Sequence, residues 1–293
     1  MKRAIFEGVC TALVTPFSGG AINYPKLEEL MDWQIASGIG ALVIGGTTGE
    51  SATLSDAEQM RLIGHAVQYA QKRCKIIAGT GSNNAAHALE LSEFANSVGA
   101  DGLLVVTPYY NKATEAGLLN YYTDIADHVK IPVICYNVPS RTGVDMSEHA
   151  YEVLSQHPNI GGVKEASGNL AKVARVIARC GEQLPIWSGN DDQTIPMMAL
   201  GGRGVISVLS NIAPRKVLEM VKAYQDGNVQ TAGDLQCQLM EVIDALFCEV
   251  NPIPVKTAMN LMGLDVGPTR APLCPMDEDH EKRLTRALEL LKS

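Results

Sequence analysis

Residues 75–107 read KIIAGTGSNNAAHALELSEFANSVGADGLLVVT. Lys75–Gly79 and Gly102–Thr107 are short apolar runs bounded by Gly, Asp and Thr, the pattern of strands. Between them Ala85–Ser97 repeats apolar residues at three- and four-residue steps (Ala85, Ala88, Leu91, Ala95), the period of an amphipathic helix. Strand, helix, strand in this spacing is a βαβ unit, which lays its two strands parallel.

Reading outward in both directions, the same unit recurs. Strands are predicted at Val9–Thr15, Ala41–Gly45, Val133–Asn137, Gly161–Glu165, Pro185–Gly189 and Gly204–Val208, and helices at Tyr24–Ser37, Asp56–Lys72, Glu115–Val129 and Leu170–Cys180. Ser55 followed by Glu58 reads as a capping box for the second helix. The strands are nearly all apolar, as expected where both faces of a parallel strand are covered. An open doubly wound sheet would share that feature. It would, however, carry a GxGxxG after its first strand, and here the repeat runs on to an eighth unit without one. The expected fold is therefore α/β, a (β/α)8 TIM barrel. After Val208 only helical patterns follow, at Pro214–Asp226, Thr231–Glu249, Pro254–Met262 and Asp277–Lys292. The domain reading is a barrel over 1–226 and a C-terminal helical region over 227–293.

Composition narrows the function. With a net charge of −8 and no basic run, nothing in the chain suits a phosphate backbone, so no nucleic-acid partner is expected. No apolar stretch approaches the ~18 residues of a membrane span, and Met1–Gly8 lacks the apolar core of a signal peptide. A soluble, cytoplasmic protein with no membrane partner is expected. Seven cysteines without CxxC spacing, and six histidines without HExxH, call for neither disulfides nor a metal.

In a barrel of this kind the reacting groups stand at the C-terminal strand ends. Those ends carry Thr15, Gly46-Thr47-Thr48-Gly49-Glu50, Gly79-Thr80-Gly81, Thr107-Pro108-Tyr109-Tyr110, Tyr136-Asn137, Lys164-Glu165, Ser188-Gly189 and Ser207. The set is rich in hydroxyls, holds one lysine, and has no histidine. Such an inventory suits amine chemistry on an oxygenated substrate better than hydrolysis. Burial late in an apolar strand would disfavour the ammonium of Lys164 and leave an amine able to attack a carbonyl. The alternatives are a lysine that snorkels to water or pairs with Glu165. Tyr136 ends the preceding strand, and its phenol could move protons beside Lys164 or simply bond to backbone. Arg141 offers a planar fork for a carboxylate, or is a solvated surface group. Gly45–Glu50 is either an anion-holding loop or a plain glycine turn; the GxxxxGK[ST] of a nucleotide-binding loop is absent.

Five motifs, Gly46-Thr47-Thr48-Gly49-Glu50, Thr107-Pro108-Tyr109-Tyr110-Asn111, Tyr136-Asn137-Val138-Pro139-Ser140-Arg141-Thr142-Gly143, Val163-Lys164-Glu165 and Asn251-Pro252-Ile253-Pro254-Val255-Lys256, together resemble the dihydrodipicolinate synthase family of pyruvate-dependent class I aldolases. The resemblance spans almost the whole chain. It implies a covalent Schiff base between pyruvate and Lys164, with no separate cofactor, and addition of the resulting enamine to L-aspartate 4-semialdehyde on the route to diaminopimelate and lysine. It further implies a proton relay of Thr47, Tyr136 and Tyr110, the last lent by an adjoining subunit of a homo-oligomer, usually a tetramer built as a dimer of dimers. Thr48 matches the pyruvate carboxylate contact, Arg141 the holder of the semialdehyde carboxylate, and Gly189 and the carbonyl of Ile206 stand with the substrate-binding set.

N-acetylneuraminate lyase and keto-deoxy sugar acid aldolases share much of this pattern. Arg141 and the Tyr109-Tyr110 pair favour the synthase, because an arginine suits a small amino acid's carboxylate better than a polyhydroxyl chain. A catalytically silent barrel would be expected to lack Lys164 or Tyr136, and both are present. For the feedback site of lysine-regulated members, Ser51, Ala52, Asn83 and Tyr109 match. Asp56 and Gln59 stand where histidines can occur, and His87 where a glutamate would. Loss of that carboxylate removes a charged partner worth ~1.5–3 kcal/mol, so weak or absent inhibition by L-lysine is expected.

Overall fold

The computed structural model describes residues 2–291. Eight parallel strands close into a barrel: β1 (Gly8–Ala12), β2 (Ala41–Ile44), β3 (Lys75–Gly79), β4 (Gly102–Val106), β5 (Val133–Asn137), β6 (Ile160–Glu165), β7 (Ile186–Ser188) and β8 (Gly204–Ser207). β8 and β2 both pair with β1, which completes the ring. The chain is thus a (β/α)8 TIM barrel with further helices at its C-terminal end.

Side chains alternate along each strand, and this parity sorts the core into two shells. Cys10, Ala12, Ala41, Val43, Ile77, Leu104, Ile134, Tyr136, Trp187 and Ile206 fill the barrel interior. Their strand neighbours Val9, Leu42, Ile76, Leu103, Val133, Val163, Ile186 and Val205 face the helices instead. Phe6, just before β1, stacks on Trp187 with ring centroids 4.7 Å apart and plugs the interior.

Around the barrel lie α1 (Tyr24–Ala36), α2 (Asp56–Ala70), α3 (Ala85–Ser97), α4 (Glu115–His128), α5 (Pro139–Thr142), α6 (Glu148–Ser155), α7 (Leu170–Cys180), α8 (Thr194–Ala199) and α9 (Pro214–Gln225). The Ser55–Glu58 capping box forms as expected. A two-residue hairpin, Phe17–Ser18 with Ala21–Ile22, turns at Gly19-Gly20, and α5, α6 and α8 are additions to the sequence reading. α5 is one turn long, with Pro139 at its start and Gly143 left-handed at its end, a pairing that suits proline's fixed φ and glycine's freedom.

The C-terminal region adds α10 (Val229–Leu246), α11 (Ile253–Leu261) and α12 (Glu278–Glu289), with α10 packed on α9 and α12. One boundary departs from expectation with consequences for function. The helix expected over Thr231–Glu249 begins at Val229 and stops at Leu246. Asn251 precedes a proline, which disfavours helix there, and Glu249 is drawn aside to accept Asp277 N at 2.9 Å and His280 Nδ1 at 2.8 Å. Residues 247–251 therefore form an irregular segment. Lys292, the expected end of the last helix, lies outside the described residues.

No helix among the described residues is long and apolar enough to cross a membrane.

Candidate active site

The ladder between β5 and β6 sets Tyr136 level with Lys164, and the next ladder sets Lys164 level with Trp187. Tyr136 and Trp187 point into the barrel, so the row carries Lys164 inward and parity sends Glu165 outward. Glu165 is accordingly held by Asn137 Nδ2 at 3.0 Å, by Tyr151 of α6 at 2.5 Å and by the Ser167 amide at 2.7 Å. It does not serve as the lysine's counter-ion. Lys164 is 4% exposed, with Nζ 4.3 Å from the centroid of the Tyr136 ring. Among the described residues no carboxylate stands within ion-pairing distance of that Nζ, and no group hydrogen-bonds the Tyr136 phenol.

Lys164 and Tyr136 open on a cavity of about 330 Å³. Thr48 from the β2 turn, Ser140 and Arg141 from α5, Gly189 after β7 and Val208 after β8 share its wall. Gly189 has a steric reason: a Cβ there would stand 3.0 Å from Lys164 Cε and 2.7 Å from Ala166 Cβ, so any larger residue would press on the lysine. Val208 is fixed by Asp191, whose Oδ2 accepts the amides of Val208 at 2.9 Å and Leu209 at 3.0 Å. Burial pushes the Asp191 carboxyl above its ordinary range, against the pull of Ser207 and those two amides. A larger cavity of about 540 Å³ lies among α1, α9, α11 and α12, but no barrel strand end reaches it.

The rest of the wall comes from the irregular segment after α10, through Phe247, Glu249, Val250 and Asn251. Nothing in the sequence marks Phe247, Glu249 or Val250 as site residues, and Asn251 is marked only as the first residue of the Asn251–Lys256 motif. Asn251 Nδ2 donates to Thr48 Oγ1 at 3.0 Å, and Arg141 Nη2 donates to the Asn251 carbonyl at 3.1 Å. Beside this link the β2 turn is clamped. Glu50, left-handed at φ 57° and buried, pairs with Lys256 Nζ of α11 at 2.8 Å. Lys256 also donates to the Thr15 and Pro268 carbonyls, at 3.0 and 2.7 Å, and lies over the Phe17 ring. Burial lowers the Lys256 pKa while Glu50 opposes that shift.

The structure thus gathers Thr48, Tyr136, Arg141, Lys164 and Gly189 around one cavity. Thr47 follows Gly46 in the same turn, half-buried, and is outside that wall; Ile206 is buried in the interior cluster. Tyr110 is 90% exposed, with φ 69°, and Tyr109 lies beside it at 36% exposure. Their loop is tied to Asn83 by Asn111 Nδ2, 2.9 Å from the Asn83 carbonyl. Ser51 and Ala52 form a short 3-10 turn, and His87 meets Ser82 Oγ at 3.3 Å and Asp56 Oδ1 at 3.1 Å. Among the described residues no cluster of three metal-ligating side chains occurs.

Known proteins resemble this chain over nearly its full length. The model of the dihydrodipicolinate synthetase family matches residues 5–291. A 4-hydroxy-tetrahydrodipicolinate synthase of Thermoanaerobacter sp. (strain X514) is 52% identical over 290 residues, covering 99% of this chain and 95% of the relative. The crystal structure of dihydrodipicolinate synthase from Aquifex aeolicus superposes with a TM-score of 0.95 at 41% identity, covering 97% of each chain. That of the Cyanidioschyzon merolae enzyme, solved with lysine bound, gives a TM-score of 0.95 at 37% identity over 99% of each. A match over nearly the full length, on a barrel whose strand-end lysine and tyrosine share one row, has one consequence: the chain belongs to the dihydrodipicolinate synthetase family.

Proposed function

We propose that the chain is a 4-hydroxy-tetrahydrodipicolinate synthase, condensing pyruvate with L-aspartate 4-semialdehyde. The observation that carries this is the Lys164–Tyr136 pair, side by side in one inward row at the floor of a cavity that also holds Arg141. The Nζ of Lys164 adds to the pyruvate carbonyl carbon, and proton transfer followed by loss of water leaves an imine. Loss of a methyl proton gives the enamine, whose carbon attacks the aldehyde and forms the new C–C bond. The amine of the joined substrate then displaces Lys164 as the ring closes, which returns the lysine free. No metal or separate cofactor enters this sequence.

In this reading Tyr136 passes protons to and from the carbinolamine oxygen. Thr47 links it to Tyr110, and Tyr110 belongs to the neighbouring subunit's site. A tyrosine 90% exposed in the left-handed region, which bulky residues rarely adopt, is well suited to insertion into a partner. The assembly is then a tetramer of two such dimers, working in the cytoplasm. Thr48 and the Ile206 carbonyl receive pyruvate, Gly189 leaves room for it, and Arg141 takes the semialdehyde carboxylate with a two-pronged fork.

Feedback by L-lysine is weak or absent in the same account. His87, engaged by Ser82 and Asp56, offers no anion to an ammonium among Ser51, Ala52, Asn83 and Tyr109. An inhibition constant below the millimolar range would contradict it. The test of the main reading is an acceptor panel. With pyruvate present, L-aspartate 4-semialdehyde should be consumed at least about a hundredfold faster than N-acetylmannosamine or glyceraldehyde. Equal or reversed preference would reassign the enzyme to a sugar-acid aldolase.

A further inference from the structure

Asn251 comes from the C-terminal region, yet it is 6% exposed and stands in the cavity wall. Its two contacts there are with the two residues best suited to hold carboxylates, Thr48 through the side-chain amide and Arg141 through the backbone carbonyl. The first contact has a directional effect. A threonine hydroxyl has one proton, and an N–H aimed at its oxygen occupies a lone-pair direction and keeps the proton off that line. Among the described residues no acceptor takes the Thr48 proton, and Thr48 borders the cavity. The amide oxygen of Asn251 has itself no donor among the described residues, so the side chain is not placed for its own satisfaction.

We propose that Asn251 is a positioning residue for keto-acid capture: its amide holds Thr48 Oγ1 as an acceptor, so that the Thr48 proton is presented to the substrate carboxylate. This rests on the Schiff-base reading given above. Asn251 touches no reacting atom in this scheme; it acts through Thr48.

The experiment measures the pyruvate concentration that half-saturates borohydride-trapped adduct on Lys164, alongside kcat at saturating pyruvate, in the full-length protein. Asn251→Ala should raise half-saturation about tenfold and leave kcat within about twofold, as loss of one oriented hydrogen bond implies. Asn251→Asp should raise it about a hundredfold, because a carboxylate would accept the Thr48 proton and repel the anionic substrate. Thr48→Val should match Asn251→Ala, and the double variant should be no worse than Thr48→Val alone. Unchanged half-saturation in either Asn251 variant, or losses that add in the double variant, would overturn the proposal. If Asn251→Ala does not fold, the nearly isosteric Asn251→Asp carries the test. Absence of any adduct in the wild-type protein would remove the Schiff-base reading and this inference with it. An adduct in the wild type with normal saturation in the variants would remove this inference alone.

Discussion

Tyr136 and Lys164 are held by the hydrogen-bonded ladder between two neighbouring strands. Asn251, in the wall of the same cavity, is held by polar contacts to residues as far as 203 positions away in the chain. The first wall is rigid because the barrel closes on itself and packs its interior. The second depends on a few buried hydrogen bonds and one buried ion pair, Glu50–Lys256, whose side chains are 0% and 2% exposed. Chemistry on the ladder and grip on the clamp is the division this suggests. Variants on the two sides should fail differently.

The largest expected effect lies on the ladder. Tyr136→Phe should lower kcat by ~10²–10⁴, the range for losing a general acid–base group. Its melting temperature should stay close to the wild type, since the ring and its packing remain. A comparable loss of stability would make Tyr136 a packing residue and blur the division.

On the clamp, Lys256→Met should destabilise the fold by ~3–5 kcal/mol, because it strands the Glu50 carboxylate in the interior. Lys256→Met with Glu50→Gln should recover much of that loss, read as midpoints of chemical denaturation. A Lys256→Met enzyme as stable as the wild type would show that the clamp is ornamental.

A third region belongs to neither wall. Tyr110→Phe should cut kcat by about tenfold or more and shift stability by no more than ~0.5 kcal/mol, because the ring is kept and only the hydroxyl is lost. Full activity would place Tyr110 outside the relay and remove the reason for a shared site.

The smallest expected effect concerns pH. Arg270 hydrogen-bonds Glu58 and, with the Ser55 cap, draws its carboxyl down to about 2. That depression adds stability above the unfolded value near 4.3, and the contribution disappears as pH falls through about 2. The pair is partly exposed, so screening reduces it to about 1 kcal/mol. Arg270→Met should flatten the fall in stability between about pH 4 and pH 2. An unchanged slope would assign the acid sensitivity to other groups.

The two walls also differ in how far they could be read from sequence. All eight barrel strands stand out as short apolar runs and the main helices as a period near 3.6, and Lys164 and Tyr136 are found by asking what ends each strand. Arg141 was legible as a residue but not as part of a helix, because a single turn such as Pro139–Thr142 is shorter than any repeat it could display. Residues 247–249 look like the end of a helix in sequence, since Glu249 and its neighbours are acceptable helix residues. What ends the helix is contact with Asp277, His280, Thr48 and Arg141, all distant in the chain. Adjacency alone does not separate Thr47 from Thr48; the family resemblance gives the first to the relay and the second to the pyruvate carboxylate, and the fold puts Thr48 in the cavity wall.

The proposed nucleophile is Lys164. Incubation with pyruvate and borohydride, followed by proteolysis and mass mapping, should place one reduced pyruvate adduct per chain on the peptide containing Lys164, and Lys164→Ala should abolish it. An adduct on another lysine, or none at all, would contradict the account.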